Sequence, residues 1–142
     1  MTRHTVVTSI DFCYGHRLLD YDGKCKHLHG HNGRLEIEVS SDRLDARGMV
    51  VDFGEVRQAA KGWVDAHLDH RMVLCERDPA IPALRGLGEP LHVMADNPTA
   101  ENIARLVFDH LREDGLDVDE VRLWETPDAF ASYRAGPSPR AG

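Results

Sequence analysis

The segment 24–33 reads K-C-K-H-L-H-G-H-N-G and sets His27, His29 and His31 two residues apart. In an extended chain alternate side chains project to the same side, whereas on a helix two residues separate them by roughly 200°. Residues 33–40 alternate as a strand, so the run leading into them is extended or nearly so. Two or three imidazoles therefore converge from one short piece of backbone, and Gly30 leaves space beside them. Borderline nitrogen donors suit zinc, and a catalytic zinc site takes three protein ligands and keeps one position open. His29 and His31 supply two, although spacing alone does not choose between His27 and His29 as the companion of His31. His16 is the candidate for the third, and Cys25 is the alternative as fourth ligand of a closed structural site. The competing reading is a polar loop with surface histidines. Three alternating histidines, a nearby cysteine and an upstream histidine weigh against it.

Two further groups bear chemistry. In Asp69-His70 a carboxylate beside an imidazole orients the ring and raises its basicity; the competing reading is a solvated helix end. Glu125 lies on the face of Val121 and Leu123 at the end of an apolar strand, and an inward carboxylate needs a partner. That partner is a ligand with N–H donors, a buried arginine or backbone amides.

These groups must be held by a fold. Residues 4–12 alternate around Val6, Thr8, Ile10 and Phe12, which predicts a strand. Asp20, Asp22 and Gly23 mark a turn. Residues 33–40 predict a half-buried strand, with Leu35, Ile37 and Val39 on one face and Arg34, Glu36, Glu38 and Ser40 on the other. Met49–Val51 reads as a short strand. Asp52, with Glu55 three residues on, resembles a capping box, and Val56, Ala60, Trp63, Val64 and His67 recur at helical spacing to about Leu68. Residues 77–97, with Pro79, Pro82 and Pro90, read as a long irregular connection. Asn97-Pro98-Thr99 opens a second helix, whose stripe is Ile103, Leu106, Val107, His110 and Leu111 and whose stop is Gly115. Residues 118–125 and 130–134 predict two last strands, and 136–142 a frayed tail. Strands with helices grouped in the middle imply an α+β fold, an antiparallel sheet with helices on one face.

The chain has 142 residues, 24 acidic against 17 basic side chains, and a net charge of -7. Its length suits one domain, 1–142, with a proper core. The negative balance argues against a broad nucleic-acid surface. Apolar runs are too short to span a membrane, and no charged n-region followed by an apolar h-region opens the chain. Three cysteines, Cys13, Cys25 and Cys75, make a poor disulfide framework, so reduced thiols and a cytoplasmic location are expected.

Together, F-C-Y-G-H-R-L at 12–18, C-K-H-L-H-G-H-N at 25–32, V-D-F-G-E-V at 51–56, L-D-H at 68–70, N-P-T-A-E-N at 97–102 and W-E-T at 124–126 resemble the 6-pyruvoyltetrahydropterin synthase family. That family includes the bacterial 6-carboxytetrahydropterin synthases of queuosine biosynthesis. The resemblance runs nearly end to end and in order. It implies the tunnelling fold: a four-stranded antiparallel sheet with two helices on one face, joined edge to edge into a trimeric β-barrel, often stacked as a hexamer. It implies Zn²⁺ held by His16, His29 and His31, with His27 left out. Cys25 matches the catalytic thiol. Asp69 and His70 match the pair that completes a Cys, Asp, His relay across a subunit interface. Glu125 matches the carboxylate that holds the pterin's N–H donors, and Glu101, with Thr99, a second pterin contact. The implied activity is a zinc-dependent lyase acting on 7,8-dihydroneopterin triphosphate to give the 6-carboxy product, or the 6-pyruvoyl product. Arg17, Lys24 and Lys26 are candidates to hold the triphosphate. Two features depart from the pattern. Tyr14 and Gly15 stand where the family has small residues, so Tyr14 either narrows the pocket or points away. The stretch between His70 and Asn97, with Cys75, His92 and Met94, is long for a bacterial member, and a loop there would reshape substrate entry. These departures keep two alternatives open: a homologue taking a different pterin or purine-like ligand, and a non-catalytic trimer that binds zinc or a pterin.

Overall fold

The structure, a computed structural model, describes residues 3–136. The elements run β1 (His4–His16), β2 (His29–Ser41), α1 (Phe53–His67), β3 (Arg71–Cys75), α2 (Ile81–Gly86), β4 (Leu91–Met94), α3 (Ala100–Glu113), β5 (Val118–Thr126) and β6 (Ala129–Arg134). They form one six-stranded sheet in the order β4-β3-β1-β2-β5-β6. The pairs β1/β2, β2/β5 and β5/β6 are antiparallel, while β1/β3 and β3/β4 are parallel.

Alternation in β1 and β2 sends Ile10, Phe12, Leu35, Ile37 and Val39 to one face, where α1 and α3 cover them. Val56, Ala60 and Val64 of α1 and Ile103, Val107 and Leu111 of α3 complete that core. Each of these Val, Leu, Ile and Phe side chains, when fully buried, contributes about 1.5–3 kcal/mol. The helix starts follow their caps: Asp52 accepts from the Gly54 amide at 2.7 Å, and Thr99 from the Asn102 amide at 3.1 Å. Gly115, at φ +95°, lets the chain leave α3 in the left-handed region. The opposite face of the sheet is polar, with Arg122 bridging Glu38 at 2.7 Å and Glu120 at 2.8 Å.

The α+β class holds, and several finer expectations need correction. The sheet has six strands rather than four, and two of its pairings are parallel. Of the added strands, β4 comes from the stretch 77–97 read as an irregular connection and β3 from the residues just before it, to which no element was assigned: Met72–Cys75 pairs with Leu91–Met94, and Tyr14–His16 with Arg71–Val73. The prolines that suggested a loop lie outside these strands, at the N-terminal turn of α2 and just before β4. A third, short helix therefore joins the two that were expected. Met49–Val51 forms no strand, because no neighbour offers it a ladder; Val50 and Val51 instead pack against the core. The strands β1 and β2 also run further than their alternation suggested, to His16 and back to His29. The tail over 137–142 lies outside the described residues.

Candidate metal centre and active site

The extension of β1 and β2 assembles the histidines. Their register sets His16 opposite His29 and Tyr14 opposite His31. His29 and His31, two residues apart on β2, share the helix-facing side. The three ring centroids lie 4.5–5.1 Å apart. One ligand atom from each residue lies within 4.8 Å of the others.

The tautomers are set by the backbone. His16 Nδ1 donates to the Pro98 carbonyl at 2.7 Å, and His29 Nδ1 to the His27 carbonyl at 2.7 Å. Each Nε2 is left with a lone pair, as in a metal-ligating imidazole whose other nitrogen is tied down. The Nε2 atoms of His16, His29 and His31 are all buried and without a hydrogen-bond partner. Unpaired buried acceptors are costly; three aimed at one point fit a metal ion, and nitrogen donors of this kind fit zinc. His16 is 2 % exposed, and burial depresses its pKa against the pull of the Pro98 carbonyl and Glu125. It therefore stays neutral, as a ligand must. His27 contributes only its carbonyl, which resolves the choice left open by spacing.

The start of α3 is fixed over this centre. Asn97 accepts from the Leu19 amide at 2.9 Å and donates to the Leu19 carbonyl at 3.0 Å, and Asn102 holds the Asn97 carbonyl at 2.9 Å. That clamp brings Pro98 onto His16. Thr99 spends its hydroxyl on capping α3, and Glu101 is exposed on the first turn.

Asp69 and His70 follow α1, and His70 adopts φ +58° to leave the helix for β3. His70 Nδ1 meets Asp69 Oδ2 at 2.9 Å. The pair is riveted to β1: the Cys13 amide donates to Asp69 Oδ1 at 2.9 Å, and the His70 amide to the Cys13 carbonyl at 2.7 Å. Burial opposes ionisation of Asp69, but the Cys13 and His70 hydrogen bonds outweigh it and hold the carboxyl below its ordinary range. The His70 side chain is 77 % exposed. It borders a cavity of about 490 Å³ that it shares with His29 and His31, and another of about 870 Å³ that also touches Asp69, Cys13 and Trp124.

Cys25 sits on a 3₁₀ turn, Lys24–Lys26, and is partly exposed. Among the described residues, its thiol makes no hydrogen bond to Asp69 or His70 of the same chain. The cysteine beside the pair is Cys13, whose thiol points to Asn32 Oδ1 at 3.0 Å. Arg17 is committed elsewhere: it forms a two-pronged pair with buried Asp78, whose carboxyl is held low mainly by that contact.

Glu125 faces the metal centre. Its Oε1 lies 3.7 Å from His16 Nε2 and its Oε2 3.8 Å from His31 Nε2. The partner that its inward position required is Tyr14, whose hydroxyl donates to Oε1 at 2.8 Å. Among the described residues, neither an arginine nor a backbone amide hydrogen-bonds to Glu125. Cys13 and Asn32 gave no signal of their contact, and Tyr14 stood out only as a departure from the family pattern; the register of β1 and β2 reveals where they meet.

The family described as 6-pyruvoyl tetrahydropterin synthase matches residues 5–136. The chain belongs to that family. Relatives named 6-carboxy-5,6,7,8-tetrahydropterin synthase include one from Rickettsia bellii, 40% identical over 128 residues, covering 85% of this chain and 93% of the relative. One from Haemophilus influenzae is 34% identical over 131 residues, covering 87% and 93%. Among solved structures, an uncharacterized protein from Wolinella succinogenes aligns at TM-score 0.85 and 27% identity, covering 96% of this chain and 100% of that one. The Caenorhabditis elegans 6-pyruvoyl tetrahydropterin synthase aligns at TM-score 0.70 and 22% identity, covering 96% and 98%. The expected membership of the 6-pyruvoyl tetrahydropterin synthase family, a family of enzymes, is thus borne out. Among the described residues, no helix is long and apolar enough to cross a membrane.

Proposed function

We propose that the protein is a zinc-dependent lyase that converts 7,8-dihydroneopterin triphosphate to 6-carboxytetrahydropterin, with acetaldehyde and triphosphate leaving. The observation that carries this reading is the convergence of three unpartnered Nε2 atoms beside a fixed Asp–His pair. The names of the relatives favour the 6-carboxy over the 6-pyruvoyl product.

His16, His29 and His31 would hold the zinc. Bound there, the metal supplies Lewis-acid polarisation of the substrate's side-chain hydroxyls, acidifying the adjacent protons. Asp69 fixes the His70 ring with Nε2 outward, ready to accept a proton. Glu125, and with it Glu101 near Thr99, accept from the N–H donors of the pterin ring. Lys24 and Lys26, which pair with no carboxylate among the described residues, would hold the triphosphate, whereas Arg17 is already neutralised by Asp78.

Cys25 is the thiol that moves protons with this pair, and it comes from a neighbouring subunit. Two facts support an assembly, a homotrimer or a hexamer of two trimers. The Asp69–His70 pair is complete except for its exposed outer nitrogen, and its own chain brings Cys25 into no contact with it. The sheet also ends in two short edges, β4 and β6, of four and six residues, which self-association would cover. The protein acts as a single domain in the cytoplasm.

The test is direct. Zinc-loaded protein is incubated with 7,8-dihydroneopterin triphosphate, and triphosphate release is followed by anion-exchange chromatography. Release, with a product of the 6-carboxy mass, is expected; no release at one zinc per chain overturns the lyase. The shared relay has its own test: Cys25→Ala and His70→Ala proteins, each inactive, regain activity when unfolded and refolded together. A second reading, a different pterin or purine-like ligand, has one observation in its favour, the Tyr14 hydroxyl already seated on Glu125.

A further inference from the structure

Tyr14 neighbours both the metal centre and the carboxylate assigned to the pterin. It projects from β1 on the same side as His16, and its ring centroid lies 5.2 Å from that of His16 and 5.6 Å from that of His31. It is 3 % exposed and stacks on Phe12 at 5.1 Å. Gly33 makes its berth: a Cβ there would come within 3.0 Å of the Tyr14 ring and 3.1 Å of Phe12. The Tyr14 hydroxyl donates to Glu125 Oε1 at 2.8 Å.

The held carboxylate faces the same point as the three histidine lone pairs. In a tetrahedral site with bonds of about 2.0–2.1 Å, neighbouring donor atoms lie roughly 3.4 Å apart. The two Glu125 oxygens stand 3.7 and 3.8 Å from two of the Nε2 atoms, within half an ångström of that spacing. Neither cavity beside the centre counts Glu125 among its lining residues. The Tyr14 hydroxyl holds one of those two oxygens at 2.8 Å.

We propose that Tyr14 is a positioning residue that latches the Glu125 carboxylate across the open coordination position of the His16–His29–His31 site. A ligand must break the latch before it can reach the metal. The latch itself needs only the metal. That a pterin is the ligand that breaks it, and then takes over Glu125, rests on the function proposed above.

The test uses the full-length protein loaded with cobalt, whose visible spectrum reports its ligands, and sodium azide as the probe for an open position. A latch closed nine parts in ten weakens apparent azide binding about tenfold. Tyr14→Phe and Glu125→Gln should each keep one cobalt per chain, shift the spectrum without any added ligand, and bind azide roughly tenfold more tightly. The control Glu113→Gln, at the exposed end of α3, should match the parent. Unchanged spectra and equal azide affinities in Tyr14→Phe and the parent overturn the latch, even if Glu125→Gln fails to fold. In a second arm, neopterin is titrated into the same proteins. Neopterin competing with azide in the parent supports release of the latch by a pterin. An azide difference without any neopterin binding leaves the latch standing and overturns the pterin reading.

Discussion

The molecule holds two groups of three histidines, and they are built on different principles. In the first, His16, His29 and His31 meet at steep angles of 57–87°, with Nδ1 of two rings tied to backbone carbonyls and three Nε2 atoms aimed at one another. In the second, His67, His92 and His110 gather around Trp63. His67 and His110 lie nearly flat on the indole, at 5.0 and 4.6 Å and at 17° and 24°, and His92 meets its edge at 6.1 Å. Among the described residues, the first group brings its ligand atoms within 4.8 Å and the second does not. The number of imidazoles is therefore a poor guide to a metal site. The first group is organised by what holds the far nitrogens of His16 and His29, the second by stacking of ring faces.

The sharpest way to break this contrast is to remove ligands. His29→Ala should weaken zinc binding by more than about 100-fold, since loss of an outer-shell partner alone costs about 10–100-fold. The triple change of His67, His92 and His110 to Ala should leave one zinc per chain. Metal-to-protein ratios after dialysis decide both. A second zinc in the parent that is lost in the triple variant would place a metal site where stacking now accounts for the geometry.

A loss in kcat alone separates metal binding from proton handling within the first region. His70→Ala should lower kcat by about 10²–10⁴ with zinc content unchanged. Asp69→Asn removes the carboxylate that fixes the ring, and should act in the same direction. Zinc lost along with activity in either variant would mean that the pair supports the metal site rather than the chemistry.

The legibility of these two regions in the sequence differed for physical reasons. The half-buried β2 strand, the Asp52 and Thr99 caps and the α1 stripe are written in residues close along the chain, and they formed as read. So did the shared side of His29 and His31, since strand alternation is local. That His16 completes the set depends on its register opposite His29, which no local pattern states; the sequence offered it as the candidate third ligand, and the family resemblance settled the choice. Arg71–Cys75 and Leu91–Met94 are too short to show a period, and they become strands only by pairing in parallel with the end of β1 and with each other. The Tyr14–Glu125 contact joins residues 111 apart, and only the sheet makes them neighbours. The Trp63 group was half visible: Trp63, His67 and His110 fell on the expected helical stripes, but His92 arrives on β4, a strand that was read as loop.

Stacking predicts a stability effect in the second region without a metal effect. Trp63→Ala removes the platform for two stacked imidazoles, each contact worth about 0.5–1.5 kcal/mol beyond its buried area. A loss of about 2–3 kcal/mol in urea unfolding is expected, with zinc content and kcat intact. A Trp63→Phe protein that recovers most of this loss would assign it to the aromatic face. Loss of zinc in Trp63→Ala would instead tie the two regions together.

The smallest effect is a proton effect, and it sharpens the contrast furthest. Burial, then His67 and then Arg71, depress the pKa of His92 below its ordinary 6.5. Between that lowered value and 6.5 the unfolded chain binds a proton that the native chain refuses, so the native state loses stability as pH falls through this window and is unaffected above it. The first region responds to acid differently: there protons compete with the metal for the same Nε2 lone pairs. In zinc-loaded protein, the urea midpoint of the parent should therefore fall more steeply on acidification than that of His92→Phe. The two slopes should differ by at most about one proton. Zinc release, followed with a chromogenic chelator, should show the same pH dependence in both proteins. Parallel stability curves would mean that His92 is protonated equally in the folded and unfolded chain. A shift in zinc release in His92→Phe would mean that the Trp63 group and the metal centre titrate as one system, and the separation between the two histidine groups would fall.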